Sequence, residues 1–546
     1  MLMLEISNLK KYYGDRLILD IKDFKAYYGD RLGIVGANGV GKTTLLDLIA
    51  GRNVPDEGAV RTYGELSYIT QLEVDGEQEI DSRTAREFGL DFDSLETASG
   101  GEKTRFKIAG SLSENSSILL ADEPTANLDI PGIELLEEKL GRFKGLLLLV
   151  SHDRELLDKL CTGIVQVENS TIKLYSGNYS QYRRQKDMEQ DRAQFEYEQY
   201  AAEKKALEEA IAEKINRRTS MRKTPRRMGN SEARLHKMGN QKANLNLSKN
   251  IKAMESRIDR LEVKEKPKEQ QKAKIDIQEQ ERPVSRVLIS GEGFTKAFGP
   301  RVLFRDGSFK VLNGSKTALV GDNGTGKTTL LKMIIEGNEA IRLANGVRLG
   351  YFSQGTEILE DEGTILENVM SGSVYPEHFA RTMLARLLFR RDDVYKKVGR
   401  LSGGERVRTC FARIFCSGAN VIILDEPTNF LDIYSMEAVE NALGLYEGTV
   451  LFASHDRKLI GSVADRIIFI ENCSLDTFEG TYGEYEEKRN QPAVPKDFDR
   501  ERQRLLLDTR LSEVISRLSM PGKDDDKEQL DLEYKRILAE KRRLMQ

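Results

Sequence analysis

Two stretches of this chain, Gly36-Ala37-Asn38-Gly39-Val40-Gly41-Lys42-Thr43 and Gly321-Asp322-Asn323-Gly324-Thr325-Gly326-Lys327-Thr328, carry the same order of glycines, lysine and threonine. Each follows an apolar run and opens a helical pattern that starts with a further threonine, Thr44 or Thr329. Glycines let the backbone curl until its N–H groups converge on phosphate oxygens, and the positive end of the helix lies behind them. The lysine then reaches the outer phosphates and the threonine hydroxyl holds Mg2+. One such match can arise by chance, but the residues downstream repeat as well. Ile118 to Glu123 and Val421 to Glu426 each end an aliphatic run in two adjacent carboxylates. Asp122 and Asp425 suit Mg2+, while Glu123 and Glu426 suit polarising the water that attacks a γ-phosphate. His152 and His455, two of the four histidines, both stand in Ser-His-Asp-Arg after another aliphatic run, a placement that suits sensing that phosphate. A contiguous Ser-His-Asp is not a hydrolase triad, whose members meet in space rather than in sequence.

These motifs belong to an internal repeat. Ser99, Asp122 and His152 recur as Ser402, Asp425 and His455 at one constant spacing, whereas Gln71 recurs as Gln354 about 20 residues sooner. The second half therefore holds an insertion, and the stretch GTEILEDEGTILENVMSGSVYPEHFARTMLARLLF reads as helix rather than sheet. Within each half, short aliphatic runs (32–35, 118–121 and 146–150; 317–320, 421–424 and 450–453) alternate with helical stretches, the pattern of a parallel sheet covered on both faces. Between the halves that pattern stops. Ile251, Met254, Ile258 and Leu261 recur at a three-four-three spacing, and Tyr200, Leu207 and Ile211 give a looser seam upstream. This predicts two antiparallel helices with a tip over residues 217–247, the alternative being two unpaired solvated helices. Past the second half, Leu507, Leu511, Val514 and Leu518, a Met520-Pro521-Gly522 turn, then Leu530, Tyr534, Ile537 and Leu544 predict a second helical hairpin, against the alternative of a disordered tail. The chain divides into an α/β domain over 1–179, a helical linker over 180–282, a second α/β domain over 283–493 and a helical extension over 494–546.

The 84 lysines and arginines are balanced by 88 aspartates and glutamates, so a polyanionic partner must be met by a local patch. The linker supplies one. Lys214, Arg217, Arg218, Arg222, Lys223, Arg226, Arg227, Arg234, Lys237, Lys242, Lys249 and Lys252 are opposed only by Glu232. A solvated face normally mixes signs, whereas an unmixed one attracts phosphate in a salt-dependent way, without base readout. The four cysteines are scattered and form no CxxC pair, as expected of reduced thiols in a cytoplasmic protein. The start shows no long apolar segment, and the longest aliphatic runs fall far short of the roughly 20 residues that span a bilayer. A soluble chain is expected, without a membrane subunit.

Ser99-Gly100-Gly101-Glu102 and Leu401-Ser402-Gly403-Gly404-Glu405 each precede a helical stretch, and through them the chain resembles the ATP-binding cassette superfamily. The first of them begins with Ala98 where leucine is usual. The resemblance implies composite sites in which the phosphate loop of one cassette faces the serine-glycine-glycine motif of the other. Site one would join Lys42, Thr43, Gln71, Asp122, Glu123 and His152 to Ser402, Gly403 and Gly404; site two would join Lys327, Thr328, Gln354, Asp425, Glu426 and His455 to Ser99, Gly100 and Gly101. Gln71 and Gln354 would complete the Mg2+ ligands. Tyr13 and Phe298, each before a glycine, match the aromatic that stacks on adenine, the alternative being an ordinary core aromatic. Two cassettes with no membrane segment and a charged hairpin between them look like the ABC-F class, whose members act on ribosomes. This implies an ATPase with two ATP and Mg2+ per chain, a monomer closing on itself, and contacts to ribosomal and transfer RNA at the linker tip.

A transporter motor would give no reason for the basic hairpin. A repair ATPase of the excision type and a ribosome-recycling cassette protein would need metal-binding cysteines that the sequence lacks. Within ABC-F, an antibiotic-resistance protein and a housekeeping translation factor remain. The short helical subdomain of the first half, the long tip with Met221, Met228, Leu235, Met238, Leu245 and Leu247, and the C-terminal hairpin look more like the resistance group, although those apolar residues could equally form the tip's own small core.

Overall fold

The strands Ile118–Asp122 and Leu146–Val150 hold no polar residue before the final aspartate, and all their side chains are buried. Strands of this kind belong in the middle of a sheet with both faces covered, where each leucine contributes about 2 kcal/mol. The computed structural model places them there. It describes residues 1–70, 100–113, 116–126, 128–221, 230–261, 263–264, 283–353, 358–390 and 392–490, and beyond these 507, 511, 514 and 534–537. The chain forms two compact units, Met1–Glu479 and Gly480–Gln546.

The first unit contains both repeats. In the first, a six-stranded sheet runs Leu66–Ile69, Ile118–Asp122, Leu146–Val150, Arg31–Val35, Gly163–Glu168, Thr171–Ser176, parallel except for the last strand. The second repeats it as Leu349–Phe352, Val421–Asp425, Thr449–Ala453, Lys316–Gly321, Arg466–Glu471, Ser474–Glu479. A three-stranded antiparallel sheet accompanies each, ordered Arg16–Tyr27, Leu2–Tyr13, Glu57–Thr62 and Arg301–Leu312, Val287–Phe298, Ile341–Leu343. The helix Lys42–Ile49 packs Leu45, Leu46, Leu48 and Ile49 into the core shared by the first pair of sheets. Leu330, Leu331, Met333 and Ile334 of Lys327–Glu336 do the same in the second. Leu136, Leu140, Leu156 and Leu157 cover the opposite face of the first parallel sheet. The phosphate loop, the carboxylate pair and the histidine motif thus all leave carboxyl ends of adjacent parallel strands, where α/β sheets hold their ligands.

The insertion in the second half is helical, as its periodicity predicts. Ile365–Met370 and Glu377–Arg386 are followed by 3-10 turns Asp393–Tyr395 and Val398–Arg400. Thr364 starts the first helix by a capping box with Glu367, which satisfies backbone donors that a short helix would otherwise leave bare.

The linker is a pair of helices, Tyr179–Met221 and Asn230–Arg260. Arg257 pairs with Glu203 at 2.7 Å and Lys264 with Glu196 at 3.4 Å, so residue numbers rise along one arm as they fall along the other, and the arms are antiparallel. Ile251 is buried, and Met254, Ile258, Tyr200, Leu207 and Ile211 are half-buried in the seam. The tip is narrower than its composition suggests, because helix continues to Met221 and resumes at Asn230. Lysine, arginine, alanine and leucine are strong helix formers, and the breakers Pro225 and Gly229 fall among the eight intervening residues, 222–229, which lie outside the described ones.

In the second unit, Gly480–Gln546, Tyr482–Asn490 is helical. Val514 and Ile537 are buried against Leu507, Leu511 and Tyr534, all of them seam positions of the predicted hairpin. Among the described residues no helix is long and apolar enough to cross a membrane.

Candidate functional site

Gly41 and Gly326 cap the two phosphate-loop helices in left-handed conformations, at φ 105° and 106°. A Cβ on Gly41 would sit 2.7 Å from Ile18 Cγ2, so both backbone angle and space demand glycine. The lysines fold back onto their loops. Lys42 Nζ donates to the carbonyls of Gly36 and Ala37 at 2.8 and 3.2 Å, and Lys327 Nζ to those of Gly321 and Asp322 at 2.7 and 3.1 Å. Thr328 Oγ1 donates to Asp425 Oδ1 at 3.1 Å, and Thr43 makes the matching bond to Asp122. Each hydroxyl and carboxylate proposed for Mg2+ are therefore already neighbours. The second oxygen of Asp122, Oδ2, is buried without a hydrogen-bond partner, a position that a cation would satisfy. Among the described residues no three acidic, histidine or cysteine side chains gather to hold a metal by themselves. Mg2+ takes one or two carboxylates and completes its shell with phosphate oxygens and water.

Glu123 and Glu426 follow these aspartates in left-handed backbone, both at φ 49°. Their amides donate to Val150 O and Ala453 O of the neighbouring strands at 2.9 Å, which holds the unfavourable conformation in place. Burial pushes the carboxyls up, Glu123 to about 8 and Glu426 to about 7, against the attraction of Lys42 and Lys327. Burial also pulls His152 and His455 down to about 3, so both imidazoles are neutral. Their Nε2 atoms stand 3.3 and 3.5 Å from Glu123 Oε1 and Glu426 Oε1, and their backbone amides donate to the same carboxylates. A carboxyl made more basic by burial, beside a neutral histidine, can accept a proton from water once ionised.

The halves meet head to tail. Gly404 lies against the other phosphate loop, a Cβ there coming 3.6 Å from Asn38 Nδ2 and 3.1 Å from Phe430 O. Asn38 Nδ2 donates to Phe430 O at 3.0 Å and its amide to Asp432 Oδ2 at 2.9 Å. Across the pseudo-twofold, the Asn323 amide donates to Asp129 Oδ2 at 3.3 Å. Asp129 and Asp432 also cap the helices Ile130–Arg142 and Ile433–Leu445. Sequence reasoning passed over both, although they sit within the repeat at the constant spacing and precede helices, which was the available signal. Ser402 caps Gly403–Cys416 through a capping box with Glu405, so Glu405 serves the helix end; Gly403 is in open space. Gly100, Gly101 and Glu102 open the helix Gly100–Ser113. Tyr13 and Phe298 are 53% and 57% exposed at the ends of their strands, which rules out their being core residues, and the ammonium groups of Lys11 and Lys296 lie over their rings at 5.9 and 5.3 Å. Gln71, Gln354 and Ser99 lie outside the described residues, as do Arg222, Lys223, Arg226 and Arg227. Arg217 is exposed on the first linker arm and pairs with Glu213; Arg218 lies in the last turn of the same arm, and Arg234, Lys237 and Lys242 fall on the second.

Residues 19–90 and 304–429 match the family model described as ABC transporter. The erythromycin resistance ATP-binding protein MsrA of Staphylococcus epidermidis is 35% identical over 450 residues, spanning 80% of this chain and 91% of that protein. ABC transporter F family member 5 of Arabidopsis thaliana is 29% identical over 574 residues, 91% of this chain and 79% of that one. This chain belongs to the ABC-F family. Ribosome protection protein VmlR of Bacillus subtilis is a further relative, 28% identical over 518 residues, or 93% and 92% of the two chains. The ABC-F chain is accordingly an ATPase, and its cassettes use ATP with Mg2+. The bound Mg2+ would neutralise charge that develops on the transferred phosphoryl group.

Proposed function

We propose that this ABC-F protein binds the ribosome in the cytoplasm, inserts its helical linker near the peptidyl-transferase centre and protects translation from antibiotics. The observation that carries this reading is the linker, two long antiparallel arms rooted between the cassettes and basic toward their far end. Arms of 43 and 31 residues reach about 65 and 45 Å at 1.5 Å per residue, enough to bring that charge far from the nucleotides. Erythromycin resistance and ribosome protection, for which MsrA and VmlR are named, point the same way. In this reading one monomer closes over two ATP. Lys42, Thr43, Gln71 and Asp122 hold one nucleotide and its Mg2+ while Ser402, Gly403 and Gly404 cover it. Lys327, Thr328, Gln354 and Asp425 hold the other under Ser99, Gly100 and Gly101. Tyr13 and Phe298 stack on the adenines, Glu123 and Glu426 activate water, and His152 and His455 sense the γ-phosphate. Ribosomal and transfer RNA are met by Arg217, Arg218, Arg222, Lys223, Arg226, Arg227, Arg234, Lys237 and Lys242.

Expression in a drug-sensitive bacterium, with inhibitory concentrations measured for a panel of ribosome-targeting drugs, tests the reading. Raised resistance to one class is expected, together with co-sedimentation with ribosomes. Unchanged resistance with intact co-sedimentation would leave a translation factor that relieves stalled ribosomes. Absence of co-sedimentation would overturn both. Neutralising Arg222, Lys223, Arg226 and Arg227 should weaken ribosome binding and flatten its salt dependence, by up to about one logarithmic unit of slope per lost phosphate contact.

A further inference from the structure

The root of the linker touches both cassettes. On its own side, Ser180 donates from its amide and hydroxyl to Asp158 at 2.6 and 2.5 Å, and the Tyr182 ring packs edge-on against Tyr175 at 5.0 Å. On the other side it meets the helix Ile433–Leu445. The hydroxyls of Tyr182 and Tyr434 are 3.1 Å apart, Tyr179 Oη donates to Glu437 Oε1 at 3.0 Å, and Arg183 pairs with Glu437 at 3.4 Å. Tyr179 and Tyr182 are buried. That helix is the one capped by Asp432, which accepts the amide of Asn38 in the opposite phosphate loop. The contact is therefore made by the same rigid element that closes over site one.

The repeat does not preserve the residues of this arrangement. At the constant spacing, Tyr179, Tyr182 and Arg183 correspond to Tyr482, Tyr485 and Glu486, while Tyr434 and Glu437 correspond to Pro131 and Glu134. One partner hydroxyl is gone and the arginine–glutamate pair has become two glutamates. The residue set at the linker root is therefore particular to one half of the repeat.

We propose that Tyr179, Tyr182 and Arg183 with Tyr434 and Glu437 form a latch, which fixes the direction of the linker when the helix Ile433–Leu445 docks over site one. The helix carries Asp432 at one end and the latch within its first two turns, so docking at Asn38 and docking at the linker root are one movement of a single helix. When the cassettes part, the linker keeps its attachment to Asp158 but loses the second wall that defines its angle. Tyr434 and Glu437 act as positioning residues, since their side chains reach Tyr182, Gln166, Tyr179 and Arg183 and not the phosphate-loop or carboxylate motifs. The inference rests on the ribosome-acting reading only for what the linker's direction accomplishes, and its test contains no ribosome.

The test measures label-to-label distances in the full chain carrying Glu123→Gln and Glu426→Gln, so that ATP is not consumed. Cys473 is first replaced by serine, the other three thiols being buried. Glu208→Cys on the exposed side of the linker and Lys310→Cys on the second cassette report linker direction; Lys22→Cys with Lys310→Cys reports closure. With ATP the linker pair should give one narrow distance, and without ATP a broad spread. Tyr434→Phe with Glu437→Gln keeps shape and removes the hydroxyl and the charge. It should lower the fixed population roughly tenfold in ATP, on the basis of two or three lost hydrogen bonds, while the closure pair is unchanged. Tyr179→Phe with Arg183→Gln attacks the latch from the linker side and should act alike. Broadening with closure retained in either variant supports the latch. A linker distance that stays narrow in both variants overturns it. So does loss of closure in both, which would make these contacts part of the cassette clamp rather than a guide for the linker.

Discussion

Glu123 and Glu426 are held by backbone rather than by side-chain partners, so an amide of the same shape should leave the loop as it is. The double variant Glu123→Gln with Glu426→Gln should bind ATP about as well as the parent, yet hydrolyse it on the order of a hundredfold or more slowly, the usual worth of a positioned general base. Nucleotide affinity and steady-state phosphate release measure the two parts; hydrolysis at the parent rate would remove these glutamates from the reaction. Asp456 shows the same physics outside the reaction. Burial raises its carboxyl to about 6, although Arg154 opposes the shift, and its Oδ1 caps the helix Arg457–Val463 through the amides of Lys458 and Leu459. The folded chain thus holds this proton at a pH where the unfolded chain has released it. Its contribution to stability is therefore greatest below about pH 4 and falls as pH rises through about 6. Asp456→Asn keeps the accepting oxygen and removes the charge. It should be stabilised relative to the parent at pH 7 and not at pH 4, by on the order of 1–3 kcal/mol, read by denaturant midpoints at the two pH values.

At the scale of elements, closure is held by two related pairs between helices. Arg154 opens the helix Arg154–Leu160 and pairs with Glu440 at 2.6 Å; Arg457 opens Arg457–Val463 and pairs with Glu137. All four lie in corresponding places of the repeat, and both arginines are buried. The pairs nevertheless differ in what remains when one acid is lost. Arg457 also reaches Glu155 at 3.1 Å and Asp153 at 3.6 Å, whereas Arg154 is left facing the charge of Asp456. A buried arginine stripped of its hydrogen-bonded acid costs about 3–5 kcal/mol. Glu440→Ala should therefore weaken ATP-driven closure by tenfold or more, and Glu137→Ala by clearly less. Distances between labels at residues 22 and 310, followed as ATP is titrated, decide the order. Equal losses would mean that the extra acids around Arg457 do not compensate.

For the whole molecule, the decisive feature is that each cassette sets residues against the phosphate loop of the other, Gly404 and Asp432 at Asn38 and Asp129 at Asn323. A Cβ on Gly404 would come 3.1 Å from Phe430 O and 3.6 Å from Asn38 Nδ2, so the larger side chain of Gly404→Val should obstruct the nucleotide held by Lys42. The loop of Lys327, in the same cassette as the substitution, should still bind, because binding to a phosphate loop needs no cover. Photocrosslinking of labelled ATP, mapped to each loop, should show loss at site one several-fold greater than at site two. The reverse pattern would exclude the head-to-tail arrangement.

The sequence by itself determined most of the chemistry. Gly41 with Lys42 and Thr43, Asp122 with Glu123, and their repeats at 326–328 and 425–426 are contiguous motifs, and the backbone geometry they need is local: a glycine at positive φ, a helix start, a strand end. The parallel sheet of each half was equally legible, because runs such as Leu146–Val150 have no stable place except a covered interior. The seam of the interdomain helices was legible in the same way, since a three-four spacing of apolar residues such as Ile251, Met254 and Ile258 defines one face of a helix whatever surrounds it. Tertiary structure alone decided what depends on two distant segments arriving together. Asp129 and Asp432 look like ordinary helix caps until the other cassette brings Asn323 and Asn38 to them. Tyr434 and Glu437 look like surface positions of a helix until Tyr182 and Arg183 arrive from more than two hundred residues away. Local patterns record which conformation each segment prefers, but a contact across an interface leaves no periodic trace in either strand of sequence that makes it.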